Sequence, residues 1–458
     1  MSPRSFDAIV VGAGQAGPSM VGRLTAAGLS VAMIERKLFG GTCVNTGCTP
    51  TKAMVASAYT AQLARRAGEY GVTIGGPVGV DFKAVMARKD GIVGASRGGV
   101  EAWLRGMPKC TVIQGHARFK APKAIEVDGE ALSADKIFLN VGGRAVIPDL
   151  PGIADAPVLT NVSLLQLDRL PSRLVIIGGS YIGLEFAQVF RRFGSEVTVI
   201  ERAPRLIGRE DPDVSDAIKT ILEAEGVAVR LGAECIHFEQ RGGDIAVGVD
   251  CTAGPPEILG SHVLVAVGRR PNTDDLGLEA AGIATDSKGY IAVDDELRTS
   301  APGVWALGDC NGRGAFTHTA YNDFEIAAAN LFDGAARKVS TRVPGYALYI
   351  DPPLGRVGIT ETEARQKGHR VRIGMRPMTR VARAVEKGEA KGFMKVVVDA
   401  ENDRILGAAI LGPGGDEAVH GVLEAMNAGV TATAYTHAVP IHPTVSELIP
   451  TIFGELKP

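Results

Sequence analysis

The 458-residue chain has few cysteines, six in all, and no apolar run long enough to cross a bilayer. A span needs roughly 18–20 consecutive apolar residues, and the first apolar run, FDAIVVGAGQAG, passes directly into a glycine motif instead of a cleavage site. Charge of one sign is also missing: 49 Lys and Arg against 51 Asp and Glu leave a net charge of -2, with no long like-charged block. This excludes a nucleic-acid footprint and a basic membrane-binding patch. Four of the cysteines, Cys110, Cys235, Cys251 and Cys310, stand singly, so the chain lacks the paired framework of a small secreted protein. These absences together point to a cytoplasmic protein. Its length calls for two to four domains.

Glycine is what the chain has in plenty, 58 residues clustered where strands end or helices open. DAIVVGAGQAGPSMVGRLTAAGLSVAMIER reads as strand, glycine turn, amphipathic helix and second strand, a βαβ unit, and RLVIIGGSYIGLEFAQVFRRFGSEVTVIER repeats it. Gly12, Gly14 and Gly17 fit G-x-G-x-x-G, which suits a tight turn, close approach of a pyrophosphate and helix packing. In the second copy Ser180 takes the middle place between Gly178 and Gly183. An acidic residue ends each unit, 18 positions after the last glycine: Glu35 after Gly17 and Glu201 after Gly183. Both copies are therefore expected to bind nucleotides, with Glu35 accepting a ribose hydroxyl. A carboxylate at Glu201 accepts from a ribose 2'-hydroxyl and repels a 2'-phosphate, which favours NADH; Arg202 and Arg205 offer the opposite preference.

Between and after these units, IFLNVGGRAVIPDLPGI and HVLVAVGRRPNTDDLGL are two strands with matching glycine and proline endings, which set boundaries near 145–155 and 271. Gly142 and Gly268 in these endings are candidate cofactor contacts. From about residue 340 alternating strands and a helix make a last α/β unit.

The stretch GGTCVNTGCTP places Cys43 and Cys48 five positions apart. That is not a zinc half-site spacing, and no second Cys or His pair lies near enough to complete four ligands. Pro50 marks a first helical turn, so a thiolate at Cys48 would feel the helix N-terminus, and Lys52 shares that face. A redox-active pair is the better reading and an inert bridge the alternative. In ALGDC, Asp309 follows a buried strand, where an acid bonds either a ligand hydroxyl or its own turn; a helix is expected to open near Thr319. His442 and Glu447 in IHPTVSE suit a general acid with a carboxylate partner, or an ordinary surface pair.

Taken together these motifs resemble the flavoprotein disulfide reductases, the group of glutathione reductase, dihydrolipoyl dehydrogenase and mercuric reductase. VVGAGQAG would hold FAD, GGTCVNTGCTPTK the redox disulfide with Gly41 and Thr42 against the cofactor, GGSYIGLE the nicotinamide cofactor, and ALGDC the flavin ribitol. The resemblance implies a glutathione reductase-like α/β fold: an FAD domain over 1–150 and 271–335, an NAD(P)H domain over 151–270, and a dimerisation domain over 340–458. It makes Cys43 the interchange thiol and Cys48 the charge-transfer thiol. Lys52 would approach the flavin and pair with Glu185, and Tyr181 would cover the flavin until the nicotinamide displaces it. His442 with Glu447 would act across a homodimer interface. The wording looks closest to mercuric reductases, but an N-terminal metal-binding domain and a C-terminal cysteine pair are absent, and no resident metal is expected. The favoured activity is NAD(P)H-dependent reduction of a small disulfide, with mercuric reduction or dihydrolipoamide oxidation as alternatives. A flavin-containing redox sensor is the reading of another class, disfavoured by the retained Lys52, Glu185, His442 and Glu447.

Overall fold

The computed structural model describes residues 3–250 and 254–458, apart from the side chain of Cys235; Cys251 lies outside the described residues. Two compact units are formed. The first contains residues 1–53, 84–146 and 268–342; the second contains 54–83, 147–267 and 343–458.

The first unit is built on a parallel sheet in the order Cys110–Gln114, Val31–Glu35, Arg4–Val11, Glu130–Leu139, with Val304–Ala306 added in parallel to the end of the last strand. An antiparallel hairpin, Ala117–Ala121 and Ala124–Val127, joins the other end of Glu130–Leu139. Strand Val31–Glu35 is buried along its whole length, as expected of a parallel strand covered on both faces. The helix Gly17–Ala26 lays Met20, Val21 and Leu24 on one side, and all three are buried in a cluster with Val10, Met33 and Leu307. Truncating Leu24 to alanine would cost roughly 2–5 kcal/mol.

The second unit repeats this plan in a four-stranded parallel sheet, Val227–Arg230, Glu196–Ile200, Arg173–Ile177, His262–Val265, beside a three-stranded antiparallel sheet. Its helix Tyr181–Phe193 buries ten of thirteen residues, among them Leu184, Phe186 and Phe190. A five-stranded antiparallel sheet, Gly345–Leu348, Leu354–Gly358, Ile405–Leu411, Phe393–Asp399, Val371–Pro377, organises the C-terminal part. No helix among the described residues is long and apolar enough to cross a membrane.

Candidate functional site

In the first unit the chain leaves strand Arg4–Val11 at Gly12, whose φ of 101° favours glycine. A Cβ there would lie 2.3 Å from the Asn140 carbonyl, one on Gly14 would lie 2.8 Å from Asn140 Oδ1, and one on Gly17 would lie 2.1 Å from the Gly12 carbonyl. All three glycines are thus enforced by close backbone and side-chain approach. Asn140 fills the turn: its Oδ1 accepts from Gly17 N at 3.1 Å and its Nδ2 donates to Leu307 O at 3.0 Å. Glu35 is buried at the end of the second strand, where its carboxylate accepts from Ala13 N (2.8 Å) and Lys37 N (2.7 Å). Each oxygen keeps a lone pair for a further donor.

The cysteine loop docks on this turn. Gly40 N donates to Ala13 O at 2.9 Å, and a Cβ on Gly41 would lie 2.8 Å from the Gly14 Cα, so the glycines of two motifs meet backbone to backbone. The short helix Gly41–Thr46 carries Thr42 and Cys43, and Cys48 is the first residue of the helix Cys48–Arg65. Both cysteines are free thiols in hydrogen-bond contact with each other. Cys48 is lowered to about 6, first by that bond and then, against the opposing effect of burial, by the Thr317 hydroxyl and the Lys52 charge. Cys43 is pushed up by its bond to Cys48 and by burial. The two thiols are thus made unequal, Cys48 the more acidic and Cys43 the less. Thr317 Oγ1 stands 3.2 Å from Cys48 Sγ and is the first residue of the helix Thr317–Phe332, which opens two residues before the expected start at Thr319.

Asp309 follows strand Val304–Ala306 in a single 3₁₀ turn, Gly308–Asn311. Burial pushes its carboxyl above the usual range, and the nearest cation, Arg269, is 3.7 Å away. This underpartnered, half-buried acid fits a ligand hydroxyl. Its turn is held by Asp323, which accepts from Gly308 N and Asn311 Nδ2, both at 2.8 Å, and pairs with Arg342. Gly142 (φ 65°) and Gly268 (φ 137°) have open space where a Cβ would project; Arg269 donates to Gly143 O at 2.5 Å and to Thr42 Oγ1 at 3.4 Å. Glycine turn, acidic strand end, open glycines and Asp309 all belong to this one unit, and together they fit FAD.

In the second unit Gly178 has a φ of 114°, and a Cβ on Gly183 would lie 2.1 Å from the Gly178 carbonyl. Ser180 is exposed and makes no cap bond. Glu201 accepts from Gly179 N and Ala203 N, both at 2.7 Å. Arg202 and Arg205 are exposed and form no ion pair among the described residues. Tyr181 is half-buried at the start of its helix, and Glu185, one turn on, is buried and accepts from Tyr349 N at 3.0 Å. Near the C-terminus His442 Nδ1 lies 2.8 Å from Glu447 Oε2; the imidazole is 75% exposed and the carboxylate 11%. This pair is thus formed, with Nε2 on the exposed side chain.

Sequence reasoning did not single out Asn140, Thr317 or Asp323, nor the group Glu210, Tyr346 and Arg356 around Tyr181. Asn140, a lone amide closing the apolar strand IFLN, was the one with a local signal.

Comparison with known proteins agrees with this geometry. Residues 6–323 match the family model described as pyridine nucleotide-disulphide oxidoreductase, and residues 344–452 match its dimerisation domain. A dihydrolipoyl dehydrogenase of Thermus scotoductus is 36% identical over 97% of this chain and 96% of its own length. The probable pyridine nucleotide-disulfide oxidoreductase RclA of Escherichia coli is 34% identical, with 99% of each chain covered, and a mercuric reductase of Bacillus cereus is 31% identical over 96% of this chain and 70% of its own. A solved Cu(II) complex of RclA, the HOCl-induced flavoprotein disulfide reductase, superposes with a TM-score of 0.90 over 100% of both chains at 33% identity. The fold is that of the glutathione reductase group, and the cofactors are FAD and a nicotinamide nucleotide. The chain belongs to the pyridine nucleotide-disulphide oxidoreductase family.

Proposed function

We propose that this flavoprotein carries electron pairs from NADH to the Cys43–Cys48 pair and on to a small disulfide. The observation that supports this is the contact between the two thiols, with Cys48 at a helix N-terminus beside the Thr317 hydroxyl, on a loop docked against the first glycine turn. Bound FAD supplies the two-electron relay between nicotinamide and disulfide. Gly12, Gly14, Gly17, Gly41, Thr42, Gly142 and Gly268 line its backbone path, Glu35 takes a ribose hydroxyl and Asp309 a ribitol hydroxyl. In the second unit Gly178, Ser180 and Gly183 take the pyrophosphate of the nicotinamide cofactor. Glu201 favours NADH because its carboxylate is already fixed by two backbone donors, and Arg202 is free to turn to solvent.

Once the pair is reduced, Cys43 attacks one sulfur of the substrate disulfide, forming a mixed disulfide and expelling the other sulfur as a thiolate; Cys48 then attacks Cys43 Sγ, which expels the second thiolate and re-forms the Cys43–Cys48 disulfide. Because Cys43 is the less acidic thiol of the two, its attack calls for a base. His442, oriented by Glu447, takes the Cys43 proton and returns it to the leaving thiolate, worth roughly 10² to 10⁴ in rate. Lys52, Glu185 and Tyr181 keep the roles that the resemblance implies, Tyr181 yielding its place to the nicotinamide. The domain limits are 1–150 with 271–335, 151–270 and 340–458; the last joins two copies so that His442 of one serves the cysteines of the other. Four single cysteines and one close pair suit a reducing cytoplasm.

Dihydrolipoamide oxidation, the same exchange in reverse, is the second reading, favoured by the formed His442–Glu447 pair and by the relative of that name. Anaerobic titration with NADH and then NADPH tests the proposal. A long-wavelength band after two electrons is expected, with NADH the more effective; bleaching of the flavin without that band would sink it. Turnover with a small disulfide against turnover with dihydrolipoamide separates the two readings.

A further inference from the structure

The helix Tyr181–Phe193 opens on an aromatic side chain whose surroundings go beyond what a nucleotide turn requires. Tyr181 stands edge to face against Tyr346, ring centroids 5.4 Å apart at 84°, and their hydroxyls are hydrogen-bonded to each other. Tyr346 donates to Glu210 Oε1 at 2.8 Å, whereas the Tyr181 hydroxyl reaches the same oxygen only at 3.4 Å. The other carboxylate oxygen accepts from Arg356 Nε at 3.0 Å and Nη2 at 2.6 Å, and this pair is 1% and 0% exposed. Arg209 lies over the Tyr181 ring at 5.8 Å.

The bonds are graded. Arg356 and Glu210 form a fully buried, doubly bonded anchor; Tyr346 is held to it by a bond of ordinary length; Tyr181 is held mainly through Tyr346. Burial and the Glu210 charge keep both phenols protonated, so both remain donors. Tyr181 can therefore leave with the two Arg356–Glu210 bonds kept; what it gives up includes the bond to Tyr346, the longer one to Glu210, the edge-to-face ring contact and Arg209 over its ring.

We propose that Tyr346 and Glu210 are positioning residues that hold the Tyr181 side chain at rest and set how readily it yields to an incoming nicotinamide, which rests on the reading of Tyr181 given above. A nucleotide that must first displace a held side chain binds more weakly by the fraction of molecules in which that side chain is already out of the way. Loosening the hold lowers the nucleotide concentration needed.

The test is a mutant cycle on the FAD-loaded protein, reading the NADH concentration that half-saturates flavin reduction in rapid mixing. Tyr346→Phe keeps the ring and removes the relay hydroxyl; Tyr181→Phe removes the same bond from its other end. Each is expected to lower half-saturation roughly three- to tenfold, and the double variant by no more than either single. A structural role without the hold gives additive effects, or no shift with Tyr346→Phe, and either overturns the inference. Thermal unfolding shows whether Tyr346→Phe is folded; if it is not, Tyr181→Phe against wild type decides alone by the same shift. Tyr181→Ala separates the layers: unchanged half-saturation removes the reading of Tyr181 itself, whereas a shift there with none in Tyr346→Phe removes only the inference.

Discussion

The two glycine turns are the same device with different fillings. Gly12 N bonds Ile34 O and Gly178 N bonds Ile200 O, both at 2.8 Å; the last glycine of each meets the first at the same 2.1 Å for a built Cβ; and each acidic strand end straddles two backbone donors. The difference lies in what the neighbouring strand presents. In the first unit it ends in Asn140, whose side chain enters the turn and leaves no room for a Cβ at Gly14. In the second the corresponding residue is Ala266, whose N bonds Ile177 O as Asn140 N bonds Val11 O. With no amide to collide with, the middle position tolerates Ser180. The departure from G-x-G-x-x-G is thus a consequence of the partner strand, and the glycine pattern alone does not rank the two sites.

The largest expected effect comes from chemistry that only the first unit carries. Cys48→Ser leaves both turns intact, and disulfide reduction should fall by roughly 10⁴-fold or more, with the long-wavelength band lost while NADH still reduces the flavin. Full activity in this variant would place the reactive sulfur elsewhere.

The comparison itself breaks or holds at the middle position. Gly14→Ala should cost roughly 1–3 kcal/mol through overpacking and release FAD on heating at a lower temperature. Ser180→Ala should stay within about 0.5 kcal/mol. Asn140→Ala is destabilising alone, since it strands Gly17 N and leaves Leu307 O with only the weak Cys310 thiol donor, but combined with Gly14→Ala the two costs should be less than additive by about 0.5 kcal/mol or more. Strict additivity in the melting curves would mean that Asn140 is not why Gly14 is glycine.

What was legible in the sequence follows the same division. Gly12 to Glu35 and Gly178 to Glu201 are local constraints, fixed within one βαβ unit, and the spacing displays them. Cys43 with Cys48 and His442 with Glu447 are local too. Asn140 lies 123 residues from Gly17, Thr317 lies 269 from Cys48, and Arg356 lies 146 from Glu210. No periodicity records such meetings, because each depends on how elements far apart in the chain pack against one another: a strand end on a glycine turn, two helix starts, a strand interior on a loop. The residues that tune the site were therefore hidden, while those that define it were visible.

Glu201 sharpens the comparison on the side of the second turn. Glu201→Ala should lower kcat/KM for NADH by roughly 10- to 100-fold, the worth of charged hydrogen bonds, and leave NADPH nearly unchanged or improved as Arg202 and Arg205 gain an unopposed anion. Equal losses with both nucleotides would mean that the carboxylate serves only to brace Gly179 and Ala203.

The smallest effect concerns how the first unit tunes its thiolate. Cys48 is lowered to about 6, so in the two-electron-reduced protein the long-wavelength band should be full above that pH and fade as pH falls through it, because protonation removes the thiolate. Thr317→Val keeps the shape of the side chain and deletes the hydroxyl 3.2 Å from Cys48 Sγ. One hydrogen bond to a charged group gone should move the midpoint upward by roughly one unit, a shift that spectral titration resolves. Lys52→Met should move it the same way by less, since its influence ranks below that of Thr317 and acts through charge alone. A midpoint indifferent to Thr317 but responsive to Lys52 would reverse that order and make charge, not the helix-opening hydroxyl, the means by which this unit holds a thiolate at neutral pH.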